Sequence, residues 1–219
     1  GLTDGMVEWV TGHVLRHHLG MDTHIHGQDG VWRAGSAPPL ARDRTVAILG
    51  LGTLGSACAR ALATLNFRVL GWSRSAKDVD GVQTFHGSEG LKDVLHRAEI
   101  VVLLLPDTPA TENTLDAEAL ALMPTGAVII NPGRGPLIDD DALLSALDAG
   151  QIGHATLDVF RTEPLPPEHP FWAHPRVTVT PHIASETRAP SAARVIAENV
   201  RRGEAREPFL HLVDRSLGY

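Results

Sequence analysis

Apolar residues recur with two different periods along this chain. Met6, Val7, Val10, Val14 and Leu15 fall on one helical face, so residues 4–19 predict a helix with Thr3 as a plausible N-cap and Gly20 as its stop. From Thr45 the pattern changes to short apolar runs at 45–50, 67–72, 82–85, 100–105, 127–131, 154–160 and 177–180. Helical stretches near 54–65, 89–97, 116–123 and 140–149 separate them, with Ser88, Asp116 and Asp139 placed to cap. Strands that are apolar throughout and alternate with helices predict a parallel sheet covered on both faces, a doubly wound α/β fold of Rossmann type. Residues 20–44 are polar, contain Trp32, and read as a long connection that wraps or binds something. Residues 161–176 are Pro-rich loop, and a last helix over about 187–202 ends in Arg201, Arg202 and Gly203. No internal repeat is visible.

Composition narrows the function classes. The chain of 219 residues suits one domain, or one domain and part of a second, and its 43% apolar content supports a real core. A net charge of −7 argues against a nucleic-acid partner, which needs clustered Lys and Arg. Cys58 is the single cysteine, so no internal disulfide forms and a reducing cytoplasm fits best; it reads as a small buried hydrophobe. The longest unbroken apolar stretch, Ile100 to Leu105, is too short to cross a bilayer, so no membrane association is expected. Of the 12 histidines, His13 and His17 are four apart, and His24 and His26 follow. That spacing suits a metal, but no carboxylate partner supports one. They read as surface or interface residues, and no metal is expected.

The stretch "AILGLGTLGSACARAL" sets Gly50, Gly52 and Gly55 between a strand and a helix. The first glycine permits the tight turn, the second lets a pyrophosphate approach the backbone, and the third lets helix and strand pack closely. The helix start, at Thr53 and Leu54, then offers free N–H groups to phosphate. An acid is expected at the tip of the next strand if the ligand is NAD, to hold both ribose hydroxyls. The chain has "GWSRS" there. Ser73, Arg74 and Ser75 supply a guanidinium fork and two hydroxyl donors, which suit a 2′-phosphate. The expected cofactor is therefore NADP(H), with NAD(H) less favoured.

Three later stretches lie near strand C-terminal ends, where open α/β sheets bind ligands. "INPGRGPLIDD" carries Arg134, "LDVFRTEPLPPEHPFW" carries Asp158 and Glu163, and "VTVTPHIAS" carries His182. A 2-oxo acid has a carboxylate beside a ketone. Arg134 can hold the carboxylate by a forked pair, and protonated His182 can donate to the carbonyl oxygen as hydride arrives. Glu163 beside the ring would stabilise imidazolium and raise its pKa, so reduction should fade as pH rises through that value.

In this order, GxGxxG, "LLPDTPAT", "NPGRG", "DVFRTEP" and "PHIAS", the chain resembles the D-isomer-specific 2-hydroxyacid dehydrogenase family over nearly its whole length. "WSRS", "EPLPPEHPFWAHPRVTVTPHIA" and the ending "VDRSLGY" resemble its glyoxylate/hydroxypyruvate reductase A subgroup. The resemblance implies Arg134, Glu163 and His182 as the catalytic set and Asp158 near the nicotinamide carboxamide. It also implies cofactor contacts at Leu105, Pro106 and Thr111, at Asn131, Pro132 and Gly133, and at Ala184 and Ser185. Many members have a hydrophobic residue and Ala where this chain has Pro132 and Gly133, which alters the expected loop.

The resemblance further implies residues 1–185 as the dinucleotide-binding domain, with 1–44 its helix and dimerisation arm. Residues 186–219 become the C-terminal helix and tail of a substrate domain. Members begin with a separate substrate-domain segment that is absent here, so the chain is expected to be a fragment. Val195, Ile196, Val200, Phe209, Leu210 and Leu212 then lack an apolar partner. A homodimer is expected, because Trp32 and the Val-rich face of the first helix need burial. The expected function is NADPH-dependent reduction of glyoxylate or hydroxypyruvate. A dehydrogenase for a bulkier 2-oxo acid, and a non-catalytic NAD(P)-sensing protein on the same scaffold, are the alternatives.

Overall fold

A computed structural model describes residues 1–213; the end of the "VDRSLGY" stretch, 214–219, lies outside the described residues. Seven strands form one sheet: β1 (Thr45–Leu49), β2 (Arg68–Ser73), β3 (Gln83–His86), β4 (Ile100–Leu103), β5 (Ala127–Asn131), β6 (Ile152–Leu157) and β7 (Val177–Val179). Their order is β3-β2-β1-β4-β5-β6-β7, and every pairing is parallel. This is the doubly wound Rossmann-type arrangement the alternation predicts. Its chain reversal falls between β1 and β4, where such sheets open a crevice at their C-terminal edge.

The strand period of two sorts the core into two layers. Val46, Ile48, Ile100 and Val102 point to one face and meet Met6, Val10 and Val14 of α1 (Leu2–His18) and Cys58, Ala59 and Leu62 of α3 (Thr53–Thr64). Ala47, Leu49, Val101 and Leu103 point to the other. There they meet Val94 and Leu95 of α4 (Gly87–Arg97), Leu120 of α5 (Ala117–Leu122), and Leu143 and Leu147 of α6 (Asp140–Asp148). The Val-rich face of α1 is thus buried on its own sheet, and that part of the argument for a dimer is corrected.

Helix caps divide into those that match and those that do not. Asp116 and Asp139 accept from the N–H groups of Ala119 and Ala142, at 2.9 and 3.0 Å. Ser88 is no cap: α4 starts earlier, after His86. Thr3 lies inside α1, which starts at Leu2. The 20–44 connection contains the short helix α2 (Met21–His26) and a 3-10 turn at Ala41–Asp43. Strand β6 stops at Leu157, short of residue 160, because Asp158 turns the chain; Val159 and Phe160 are buried in the loop that follows. The last helix, α7 (Ala189–Glu204), has no buried residue, and Val195, Ile196, Val200, Phe209 and Leu212 are exposed.

Candidate active site

The glycine turn begins the crevice. Gly50 has φ +106°, and a Cβ there would lie 2.4 Å from the Leu104 carbonyl oxygen. A Cβ at Gly55 would lie 1.7 Å from the Gly50 carbonyl oxygen, so α3 packs on the turn only through a bare Cα. At Gly52 a Cβ would meet nothing within 4 Å. Sterics inside the fold therefore explain Gly50 and Gly55 but leave Gly52 facing open space, which fits a residue kept small for an approaching ligand. Gly52 caps α3 without any side-chain hydrogen bond, and Gly52 and Thr53 are exposed while Leu54 is half-buried. The first-turn N–H groups and the positive end of the helix point to an anion.

The tip of β2 faces the same crevice. Ser73 is only 8% exposed, and its hydroxyl donates to the Ser75 carbonyl at 2.7 Å. That bond closes a tight turn that leaves Arg74 and Ser75 exposed. Among the described residues Arg74 forms no ion pair.

Beyond β4, Leu105 is buried and the Thr111 hydroxyl donates to the Pro106 carbonyl at 2.6 Å, folding the 105–111 loop on itself. Beyond β5, Asn131 is buried and laces the next turn: its amide donates to the Arg134 carbonyl at 2.9 Å, and its oxygen accepts from the Gly133 N–H at 3.1 Å. Pro132 is buried beside it. A Cβ on Gly133 would lie 2.7 Å from the Leu103 carbonyl oxygen, and one on Gly135 would lie 2.0 Å from the Phe160 carbonyl carbon. The glycines flanking Arg134 therefore press its loop onto β4 and onto the segment leading to Glu163. Arg134 itself is exposed, and its Nη1 donates to the Gly133 carbonyl at 2.6 Å.

Asp158 organises the last part. It is 0% exposed, yet both of its carboxylate oxygens are hydrogen-bonded. Its Oδ1 accepts from the Thr180 hydroxyl at 2.6 Å and the Ile183 N–H at 2.9 Å, and its Oδ2 from the Ala184 N–H at 2.9 Å. Its carbonyl accepts from the His182 N–H at 2.9 Å. These bonds hold His182 at φ +55°, a left-handed conformation uncommon for a side-chain-bearing residue. Ala184 is buried against α1, and the Ser185 hydroxyl donates to the Leu2 carbonyl at 2.6 Å.

His182 and Glu163 meet directly. His182 Nδ1 lies 2.7 Å from Glu163 Oε2, and Glu163 Oε1 accepts from the Phe160 N–H at 2.9 Å. Partial burial pushes the Glu163 carboxyl up. The hydrogen bond with His182, the Phe160 N–H and the charges of His182 and Arg134 outweigh that and hold it below the usual carboxylate range. An ionised carboxylate only accepts, so Nδ1 is the donor and Nε2 is the ring nitrogen that Glu163 does not engage. Glycine turn, Arg134, Glu163 and His182 all sit at the C-terminal edge of the sheet, as the strand-end reasoning requires. That reasoning passed over Thr180, Asn113 and Arg161, whose roles lie in hydrogen bonds to distant segments that no local pattern marks. Among the described residues no group of three or more His, Cys, Asp or Glu side chains could hold a metal.

Residues 11–184 match the family described as D-isomer specific 2-hydroxyacid dehydrogenase, NAD binding domain. The glyoxylate/hydroxypyruvate reductase A of Serratia proteamaculans (strain 568) is 42% identical over 221 residues, covering 100% of this chain and 70% of its own. The crystal structure of a D-isomer specific 2-hydroxyacid dehydrogenase from Xanthobacter autotrophicus Py2 in complex with NADPH and MES superposes with a TM-score of 0.94 at 46% identity, covering 100% of this chain and 90% of that one. The NADPH-dependent glyoxylate/hydroxypyruvate reductase of Sinorhizobium meliloti in complex with NADP and sulfate gives 0.94 at 38% identity, covering 100% and 70%.

Proposed function

The chain belongs to the D-isomer-specific 2-hydroxyacid dehydrogenase family, and from that footing we propose that it reduces a small 2-oxo acid, glyoxylate or hydroxypyruvate, to the 2-hydroxy acid with NADPH. The observation that carries the chemistry is the 2.7 Å contact between His182 and an ionised Glu163 beside the Arg134 loop. Gly50, Gly52, Gly55 and the start of α3 hold the pyrophosphate, and Arg74 and Ser75 hold the 2′-phosphate. The bound nicotinamide supplies the hydride. Arg134 grips the substrate carboxylate by its fork and turns the ketone to one face. His182 donates a proton from Nε2 to the carbonyl oxygen as negative charge grows there, and Glu163 holds the ring through Nδ1 and stabilises its charge before transfer. Proton on oxygen and hydride on carbon yield the hydroxy acid.

Arg74 without an acid beside it supports NADPH over NADH, as do the NADPH and NADP complexes of the two relatives. A homodimer and a cytoplasmic setting belong to the same proposal. The first is supported by Trp32, 95% exposed on the arm. The second is supported by the lone, buried Cys58, which burial keeps as an inert thiol by pushing its pKa up to about 12.

The test follows NADPH absorbance with glyoxylate and with hydroxypyruvate. Turnover is expected, with kcat/KM for NADPH exceeding that for NADH by about tenfold or more, the size of one charge-assisted phosphate contact. Arg74→Asp should narrow or reverse the preference. No oxidation of NADPH by either acid, or a preference for NADH, would end the reading.

A further inference from the structure

Arg161 stands in "DVFRTEP", two residues before Glu163, and no step above uses it. Its guanidinium bonds to segments that lie earlier in the chain. Nη2 donates to the Ile138 carbonyl at 2.7 Å, to the Pro136 carbonyl at 3.3 Å and to the Asn113 side-chain oxygen. Nη1 lies 3.5 Å from Glu112, and Nε lies 3.9 Å from Asp140. One side chain thus joins three segments: the loop beyond β4, the 3-10 turn at Gly135–Leu137 that follows Arg134, and the loop carrying Glu163.

Backbone bonds complete the lacing. The Asn113 N–H donates to the Pro136 carbonyl at 2.8 Å, and the Leu115 N–H to the Leu137 carbonyl at 3.0 Å. Asn113 is held at φ +51°, which presents its side-chain oxygen to the fork. Gly135 meanwhile lies so close to the Phe160–Arg161 peptide that any side chain there would collide with backbone. The two loops are pressed together by shape at Gly135, and Arg161 fastens them with charge-assisted bonds. A planar fork is suited to gather several carbonyls at once, whereas an ammonium would not be.

The geometry points to Arg161 as a positioning residue that fixes where Arg134 stands relative to Glu163 and His182, and so sets the grip on the substrate carboxylate. It touches neither reacting group. The inference rests on the proposed reduction for its kinetic consequence, but the clamp itself can be read without turnover.

The experiment compares wild type with Arg161→Met and Arg161→Lys. Hydrogen–deuterium exchange should quicken in peptides covering 111–115 and 134–139 in R161M while β4 and β5 keep their protection. Steady-state kinetics should show KM for glyoxylate rising about tenfold, in keeping with the roughly 100-fold that an ångström of misplacement can cost. NADPH affinity should stay at the wild-type value, and R161K should recover part of the loss. Unchanged exchange in those peptides overturns the clamp whether or not the protein turns over glyoxylate. Faster exchange with unchanged KM overturns the positioning role. A parallel fall in NADPH affinity and thermal midpoint overturns it too, leaving a structural arginine. If R161M folds poorly, Asn113→Ala, which removes the acceptor and keeps the arginine, must give the same pattern at smaller size. Wild-type protein inert toward both acids would instead defeat the reduction, and the exchange result would still decide the clamp.

Discussion

At the scale of single residues, Glu163 acts through one contact with His182 and one with the Phe160 N–H. Glu163→Gln keeps the shape and removes the charge. It should lower kcat for reduction by about 100-fold, the usual worth of a tuned acid–base group, read in steady-state assays at neutral pH. The sign with pH follows from the lowered carboxyl. Its stabilising contribution is present above the ordinary glutamate range and is lost as pH falls through the lowered folded value. The gap in thermal midpoint between wild type and E163Q should therefore close in acid. Arg134, Glu163 and His182 were legible as positions because each lies in the loop that follows a strand, and the close of an apolar run marks where such a loop begins. Asp158 was legible as a position and opaque as a role. Its partners are a hydroxyl and N–H groups more than twenty residues onward, and no local pattern announces them.

At the scale of elements, α1 shows both the reach and the limit of periodicity. Its apolar stripe was legible, yet the stripe alone could not say whether it covered this sheet or a partner. The answer lies in the polar strip beside it. His17 donates to or accepts from Thr156 at 2.8 Å, and its ring lies 4.9 Å from that of His154 on β6. His154 meets Thr178 of β7 at 2.9 Å, and Arg16 reaches the same hydroxyl while pairing with Asp22 of α2. Burial lowers both histidines, His17 to about 3 and His154 to about 4, and the positive Arg16 adds to the effect in each. Folded histidines that resist protons lose ground to an unfolded state that takes them. This stability is complete above the unfolded value near 6.5 and drains away as pH falls toward the folded values. The urea midpoint should drop as pH is lowered from above the unfolded value toward about 4, the higher of the two folded values. The drop should be smaller in a His17→Gln, His154→Gln variant. Equal drops in both proteins would remove the pair from the account. His17 looks like a surface residue in sequence because the strands that bury it, β6 and β7, lie far along the chain.

At the scale of the whole molecule, the parallel order was legible from the alternation of runs and helices, since crossover connections permit little else. Surfaces were less so. Two exposed apolar regions stand apart, the arm with Val31 and Trp32 and the outer face of α7 with Val195, Ile196 and Val200. The arm is the one the proposed homodimer would use. Light scattering should give twice the chain mass for wild type and a shift toward the single-chain mass for Trp32→Asp. An unshifted mass would take the arm out of the interface.

The strand order also has a bearing on how such a protein changes over time. The turn from Ser73 to Ser75 follows β2, while the loops carrying Arg134, Glu163 and His182 follow β5, β6 and β7, with β1 and β4 standing between the two wings. On the proposed reading, electron-donor choice and ketone chemistry are thus written on separate connections that share a floor but not a wall. Mutation can rewrite one wing while the other keeps its trade.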